Sequence, residues 1–162
     1  MDLPEFDFQI LRLTGKFFED YSSRGYPEIM NKKGRGYNCL LIEIHYDFFI
    51  CVPYRTEIRH KYAYHFENSK RSKEHCSGLD YTKMVIIKNP LYISSTDTVI
   101  DKDEYMETKR GIYKIVKGAL SFLEDYIGHH TGRKKLDKNE YEKRYRYSSL
   151  KYFHEELSLS FP

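Results

Sequence analysis

The sequence predicts an α+β fold in which an antiparallel sheet is followed by helices that pack on it. Three observations predict it. Apolar alternation and short apolar runs occupy the chain as far as Ile93. From Asp101 onward the apolar period becomes three and four. No internal repeat or low-complexity linker divides the 162 residues, about the length of one domain, taken as 1–162.

Taken in order, Phe6–Leu13 alternates Phe6, Phe8 and Ile10 against Asp7 and Gln9, the pattern of a half-buried strand. Thr14 is placed to cap a short helix through Tyr21, which Gly25 and Pro27 would stop. Asn31–Gly36 (NKKGRG) is a glycine-rich basic loop. Leu40–His45 and Phe48–Pro53 are two continuous apolar runs around Tyr46-Asp47, a hairpin at the centre of the sheet. Lys61–Phe66 puts Tyr62, Tyr64 and Phe66 on one face of a further strand. Tyr81–Ile87 and Leu91–Ile93 complete the strands. The spacing of Ile112, Ile115, Val116, Ala119, Leu120, Leu123, Tyr126 and Ile127 predicts one helix from Asp103 to Ile127, weakened at Gly111 and Gly118. Lys138–Phe153 is predicted as a last helix, with Tyr141, Tyr145 and Tyr152 on its apolar side.

The apolar fraction is dominated by Tyr (16) and Phe (10), with no Trp. Lys+Arg 27 against Asp+Glu 24 leaves a net charge of only +3. That charge is nevertheless sorted. Residues 55–73 carry six basic and two acidic side chains, and residues 133–151 carry eight and three. Residues 1–31 and 88–108 are acidic, each with a net charge of −3. Two tyrosine-threaded basic blocks are thus masked in the total. No apolar run is long enough to span a membrane. The start, MDLPEFDF, shows no signal-peptide pattern. Cys39, Cys51 and Cys76 are odd in number and lack C-x-x-C spacing, against a disulfide framework or zinc knuckle. A reduced, cytoplasmic protein is the expectation.

The segment from Pro53 to Lys83 concentrates chemical groups. Arg55, Thr56, Arg59, His60 and Lys61 follow a buried strand, and Lys70, Arg71, Lys73, His75 and Ser77 precede the next. If those strands are neighbours, both ends converge on one sheet edge. The cations would bind phosphates, and Tyr62 or Tyr64 would stack on unpaired bases or else pack against the sheet. His129-His130 lacks further ligands at metal spacing and reads as charge at a helix C-terminus. Asp101, Asp103 and Glu104 read as acids favouring a helix N-terminus rather than as a magnesium site. No metal or cofactor is expected.

The stretches NKKGRGYNCLLIEI, FFICVPYRTEIRHKYAYHFENSKRS and HCSGLDYTKMVIIKN resemble the toxins of type III toxin–antitoxin systems, the ToxN/AbiQ endoribonucleases, closest to the CptN/TenpN-like branch. The resemblance spans roughly Phe8 to Tyr126. It implies an antiparallel SH3-like barrel, akin to MazF and Kid, elaborated with helices. It also implies metal-independent RNA cleavage that leaves a 2′,3′-cyclic phosphate. The implied inhibitor is a small RNA pseudoknot, cut by the toxin from a repeat transcript and closed with it into cyclic or paired assemblies.

Carried onto this chain, the family's basic residue before the first central strand falls on Arg35, with Lys33 nearby. Its catalytic hydroxyl falls on Thr56, followed here by Glu57 where many relatives have serine. His60 and Lys61 become the acid–base and electrostatic candidates, and Phe17 the aromatic bordering the site. Ser77 and Asp80 match a branch motif, Asp80 for support and Ser77 for RNA contact. The implied catalytic set is Thr56, His60, Lys61 and Arg35, with Arg55 also on the phosphate. Arg133, Lys134, Lys135, Arg144 and Arg146 of the second block would hold the antitoxin RNA. An RNA-binding module without catalysis is the alternative.

Overall fold

A computed structural model describes residues 3–29, 38–44, 47–95 and 98–159. The expected loop carrying Lys33 and Arg35 lies outside the described residues, as does His45. Six strands form one antiparallel sheet: β1 (Asp7–Arg12), β2 (Asn38–Glu43), β3 (Phe49–Arg55), β4 (Ala63–His65), β5 (Gly78–Asp80) and β6 (Val85–Ile87). Their order is β1-β2-β3-β5-β4, with β6 also on β3. The two continuously apolar strands, β2 and β3, are central as expected, and Leu40, Ile42, Ile50 and Val52 are fully buried.

The barrel does not close. Beyond β6 the chain turns back to β1 but meets it through one bridge, Leu13 with Ile93, rather than through a ladder. Backbone bonds from Thr14 N–H to Tyr92 O and from Ser94 N–H to Arg12 O frame that bridge. The reason is local. Asn89 accepts from Leu91 N–H and turns Pro90–Tyr92 into a 3-10 helix where a strand was expected.

The expected strand Tyr81–Ile87 is likewise divided. The Asp80 carboxylate accepts from both Thr82 N–H and Thr82 Oγ1. That capping folds Tyr81–Lys83 into a 3-10 turn between β5 and β6. Both short strands then pair with β3 at different places, β6 along Phe49–Cys51 and β5 along Tyr54–Arg55. Pro53 sits between them, opposite Cys39 of β2.

Five α-helices are present among the described residues: α1 (Gly15–Asp20), α2 (Lys70–His75), α3 (Lys102–Arg110), α4 (Ile112–Thr131) and α5 (Lys138–Tyr145). The single helix expected over 103–127 is broken at Gly111. A Cβ there would stand 2.4 Å from the Tyr64 hydroxyl, so the bare backbone at Gly111 leaves room for the tip of the Tyr64 side chain. Gly118 stays helical and serves the same purpose for Tyr81, whose hydroxyl would lie 2.5 Å from an added Cβ and donates to Ile115 O. The last expected helix stops at Tyr145 and resumes as a 3-10 turn, Ser149–Tyr152, in which Ser149 Oγ donates to Met84 O. All three cysteines are free, and burial holds the Cys51 thiol well above its usual range. No described helix is long and apolar enough to cross a membrane.

Candidate functional site

The sheet register builds the site. Arg55, the last residue of β3, is paired with Gly78 of β5, so Asp80 lies two residues farther along β5 on the same face. Arg55 Nη1 donates to Asp80 Oδ2 at 2.5 Å, while the Asp80 side chain has no exposed surface. His60, in the β3–β4 loop, places Nε2 3.2 Å from Asp80 Oδ1. Its other ring nitrogen, Nδ1, accepts from Tyr62 N–H at 3.1 Å. The ring is therefore held in the tautomer that carries its proton on Nε2. Burial pushes the Asp80 carboxyl up, but hydrogen bonds from His60 and Thr82 and the Arg55 charge outweigh it and hold the group below its ordinary range. A buried carboxylate thus orients one guanidinium and one imidazole toward a pocket.

That pocket, of 280 Å³, is lined from both basic blocks. Arg55, Arg59 and His60 come from the first block, Lys143 and Arg144 from the second, and Lys83 from the turn between β5 and β6. Tyr62 and Tyr147 also line it. All three lining guanidiniums are paired with carboxylates, Arg55 with Asp80 at 2.5 Å, Arg59 with Glu57 at 2.7 Å and Arg144 with Asp125 and Glu140 at 2.7 and 2.8 Å. Burial lowers the Lys83 pKa; Asp80 opposes that shift and Arg55 adds to it. A larger groove, 720 Å³, runs beside β1 but carries Glu5, Asp7 and Glu43, the wrong sign for a polyanion.

The other expected site residues divide. Thr56 is half-buried where β3 ends and does not line the pocket. Glu57, next to it, turns the chain with a φ of 58°, and the backbone N–H groups of Glu57 and Ile58 donate to His75 O and Cys76 O. Lys61 lies outside the pocket with Nζ 5.6 Å from the centroid of the Tyr62 ring. Tyr64 packs at Gly111 and edge-on to Phe66 and does not line this pocket. Lys70 and Arg71 pair with Glu74 and Glu104, and they and exposed Lys73 stand on α2, away from the pocket lining. Arg133, Lys134 and Lys135 follow α4 as an exposed group, also outside it.

Two expected contacts are corrected. Phe17 is fully buried, stacked on Tyr21 at 4.9 Å, and has no surface to border a site. Ser77 is buried beside Glu104, whose carboxyl burial holds above its usual range despite the Ser77 hydroxyl and Arg71, so Ser77 does not reach RNA. The acidic cluster at α3 serves the helix, as Asp101 Oδ1 accepts from Glu104 N–H. No group of three or more His, Cys, Asp or Glu among the described residues is arranged to hold a metal ion.

His129 and His130 are not simply helix-end charges. His129 Nδ1 accepts from Leu136 N–H, and His130 Nε2 pairs with the Tyr141 hydroxyl. Burial, then His129, lowers the His130 pKa.

Lys83, Lys143 and Tyr147 were not singled out by the sequence. Lys143 and Tyr147 fall within the second basic block, but nothing local marks them as neighbours of His60. No family model, no curated protein and no solved structure matches the chain.

Proposed function

We propose that this chain is a metal-independent endoribonuclease, a toxin of the type III class, which binds and cuts RNA at the Arg55–His60–Asp80 pocket. The observation that carries the reading is the convergence of two distant basic blocks, with an imidazole oriented by a buried carboxylate, on one pocket. RNA needs no external nucleophile. The 2′-oxygen bonds to phosphorus, the bond from phosphorus to the 5′-oxygen breaks, and a cyclic phosphate and a 5′-hydroxyl result. Arg55 and Lys143 neutralise the charge that builds on the phosphorane. His60 takes the 2′-hydroxyl proton after exchanging one of its present hydrogen bonds for one to the RNA. Lys83, whose proton burial loosens, delivers a proton to the departing oxygen. The inhibitory pseudoknot RNA is assigned to Arg133, Lys134 and Lys135, and the setting to the cytoplasm.

A second reading, RNA binding without cleavage, is favoured by one observation: both His60 nitrogens are already engaged. End-labelled RNA incubated with the protein in EDTA separates the two. The expected products end in 2′,3′-cyclic phosphate, and His60→Ala slows their formation about 100-fold or more while RNA binding persists. Tight binding with no fragments selects the second reading. Cutting that EDTA abolishes overturns the metal-independent mechanism.

A further inference from the structure

Tyr147 is the exposed aromatic that the pocket presents to solvent. It retains 63% of its accessible surface, although it is large and apolar. Its turn is nonetheless pinned on both sides. Tyr145, just before, is buried and its hydroxyl donates to Phe122 O at 2.8 Å. Ser148 and Ser149, just after, are buried, with Ser149 Oγ on Met84 O at 2.5 Å. Lys83 Nζ reaches across from the pocket wall to donate to Tyr147 O itself, at 2.7 Å. Chain entering and leaving the core within so few residues forces Arg146 and Tyr147 outward. The Arg146 guanidinium then lies 5.3 Å from the Tyr147 ring centroid. Tyr105 and Tyr113 are also exposed, but neither lines this pocket.

An aromatic face carried on a pinned turn beside Lys83, Lys143 and Arg144 matches what a single-stranded polynucleotide offers, a flat base one linkage away from an anionic phosphate. We propose that Tyr147 is the stacking platform for an unpaired base whose phosphate occupies the pocket, the role the sequence suggested for Tyr62 or Tyr64. Tyr62 also lines the pocket but is half-buried, with its ring 6.1 Å from His60 and 6.4 Å from Phe122. The proposal rests on the RNA reading above and adds to it where the base is held. The three pinning bonds order the backbone of the turn, so little backbone entropy is lost when the base docks.

The test uses the full chain and two probes: a short single-stranded oligonucleotide lacking 2′-hydroxyls, so that it is not cut, and an abasic phosphodiester chain of equal length. Tyr147→Ser is expected to weaken the base-bearing probe about tenfold or more, to leave the abasic probe unchanged, and to do so equally at low and high salt. Tyr147→Phe should retain wild-type affinity for both. Lys143→Gln should weaken both probes and reduce the salt dependence. Equal loss on both probes, or no loss, in Tyr147→Ser overturns the platform while the Lys143→Gln result keeps the RNA reading. A wild-type protein that binds neither probe overturns both.

Discussion

Two regions of this molecule each set a histidine against a different kind of neighbour. At the pocket, His60 faces Asp80, a buried carboxylate, and its side chain is 35% exposed. Against α4, His154 is buried, paired with the Tyr126 hydroxyl and 4.8 Å from the His130 ring, with the Tyr141 ring stacked nearby on Tyr126. Burial, then the His130 charge, pushes the His154 pKa down to about 4. At the pocket a buried carboxylate orients the imidazole together with the Arg55 guanidinium. Against α4, burial and a neighbouring imidazole disfavour the charged form. The lesson is that an imidazole's role is set by what its second partner is, which residue type alone does not reveal.

Removing the Asp80 carboxylate is the largest perturbation of the pocket. Asp80→Ala leaves Arg55 without its counter-charge and opens the Thr82 turn, and should cost about 3–5 kcal/mol in urea unfolding. A loss below about 1 kcal/mol would mean that the pocket is held by packing and not by its charge network.

Acid separates the regions next. His154 titrates near 4 in the fold and near 6.5 when unfolded, so in that interval the unfolded chain binds more protons and stability falls as pH falls. Asp80 is held below its ordinary value, so its contribution is present above that value and is lost only at lower pH. His154→Gln should flatten the loss between pH 6.5 and 4, on the order of 2 kcal/mol, and leave the more acidic step in place. An unchanged profile would place the first step elsewhere.

The smallest effect tests the exposed cations. Lys134 pairs with Asp125 at the surface, so Lys134→Gln should change stability by under about 0.5 kcal/mol. If this block holds the inhibitor RNA, the same change should reduce the salt slope of that binding by about 0.7–0.9. A stability loss with no effect on the slope would make Lys134 structural.

Particular residues show where the sequence was legible. Thr14 before α1, Asp101 before α3 and the alternation of β1 are local signals, and the elements stand close to where those signals put them. Thr14 makes no side-chain cap, however, and its hydroxyl instead donates to Leu91 O. Apolar periodicity missed the break at Gly111 because nothing within that helix requires it. The Tyr64 hydroxyl, on another element, lies where a Cβ at that position would stand. Phe17 and Ser77 were misplaced for the same reason, since burial is a property of the packed chain.

By itself the sequence determined the α+β class, the central pair β2 and β3, and the two basic blocks, because propensity, hydrophobic period and charge are carried by neighbouring residues. The tertiary structure alone decided that the barrel stays open, that Asp80 wires Arg55 to His60, and that Lys143 and Tyr147 arrive beside them. Those outcomes depend on which β3 positions β5 and β6 take and on where the α5 turn is pinned, contacts between segments far apart in the chain.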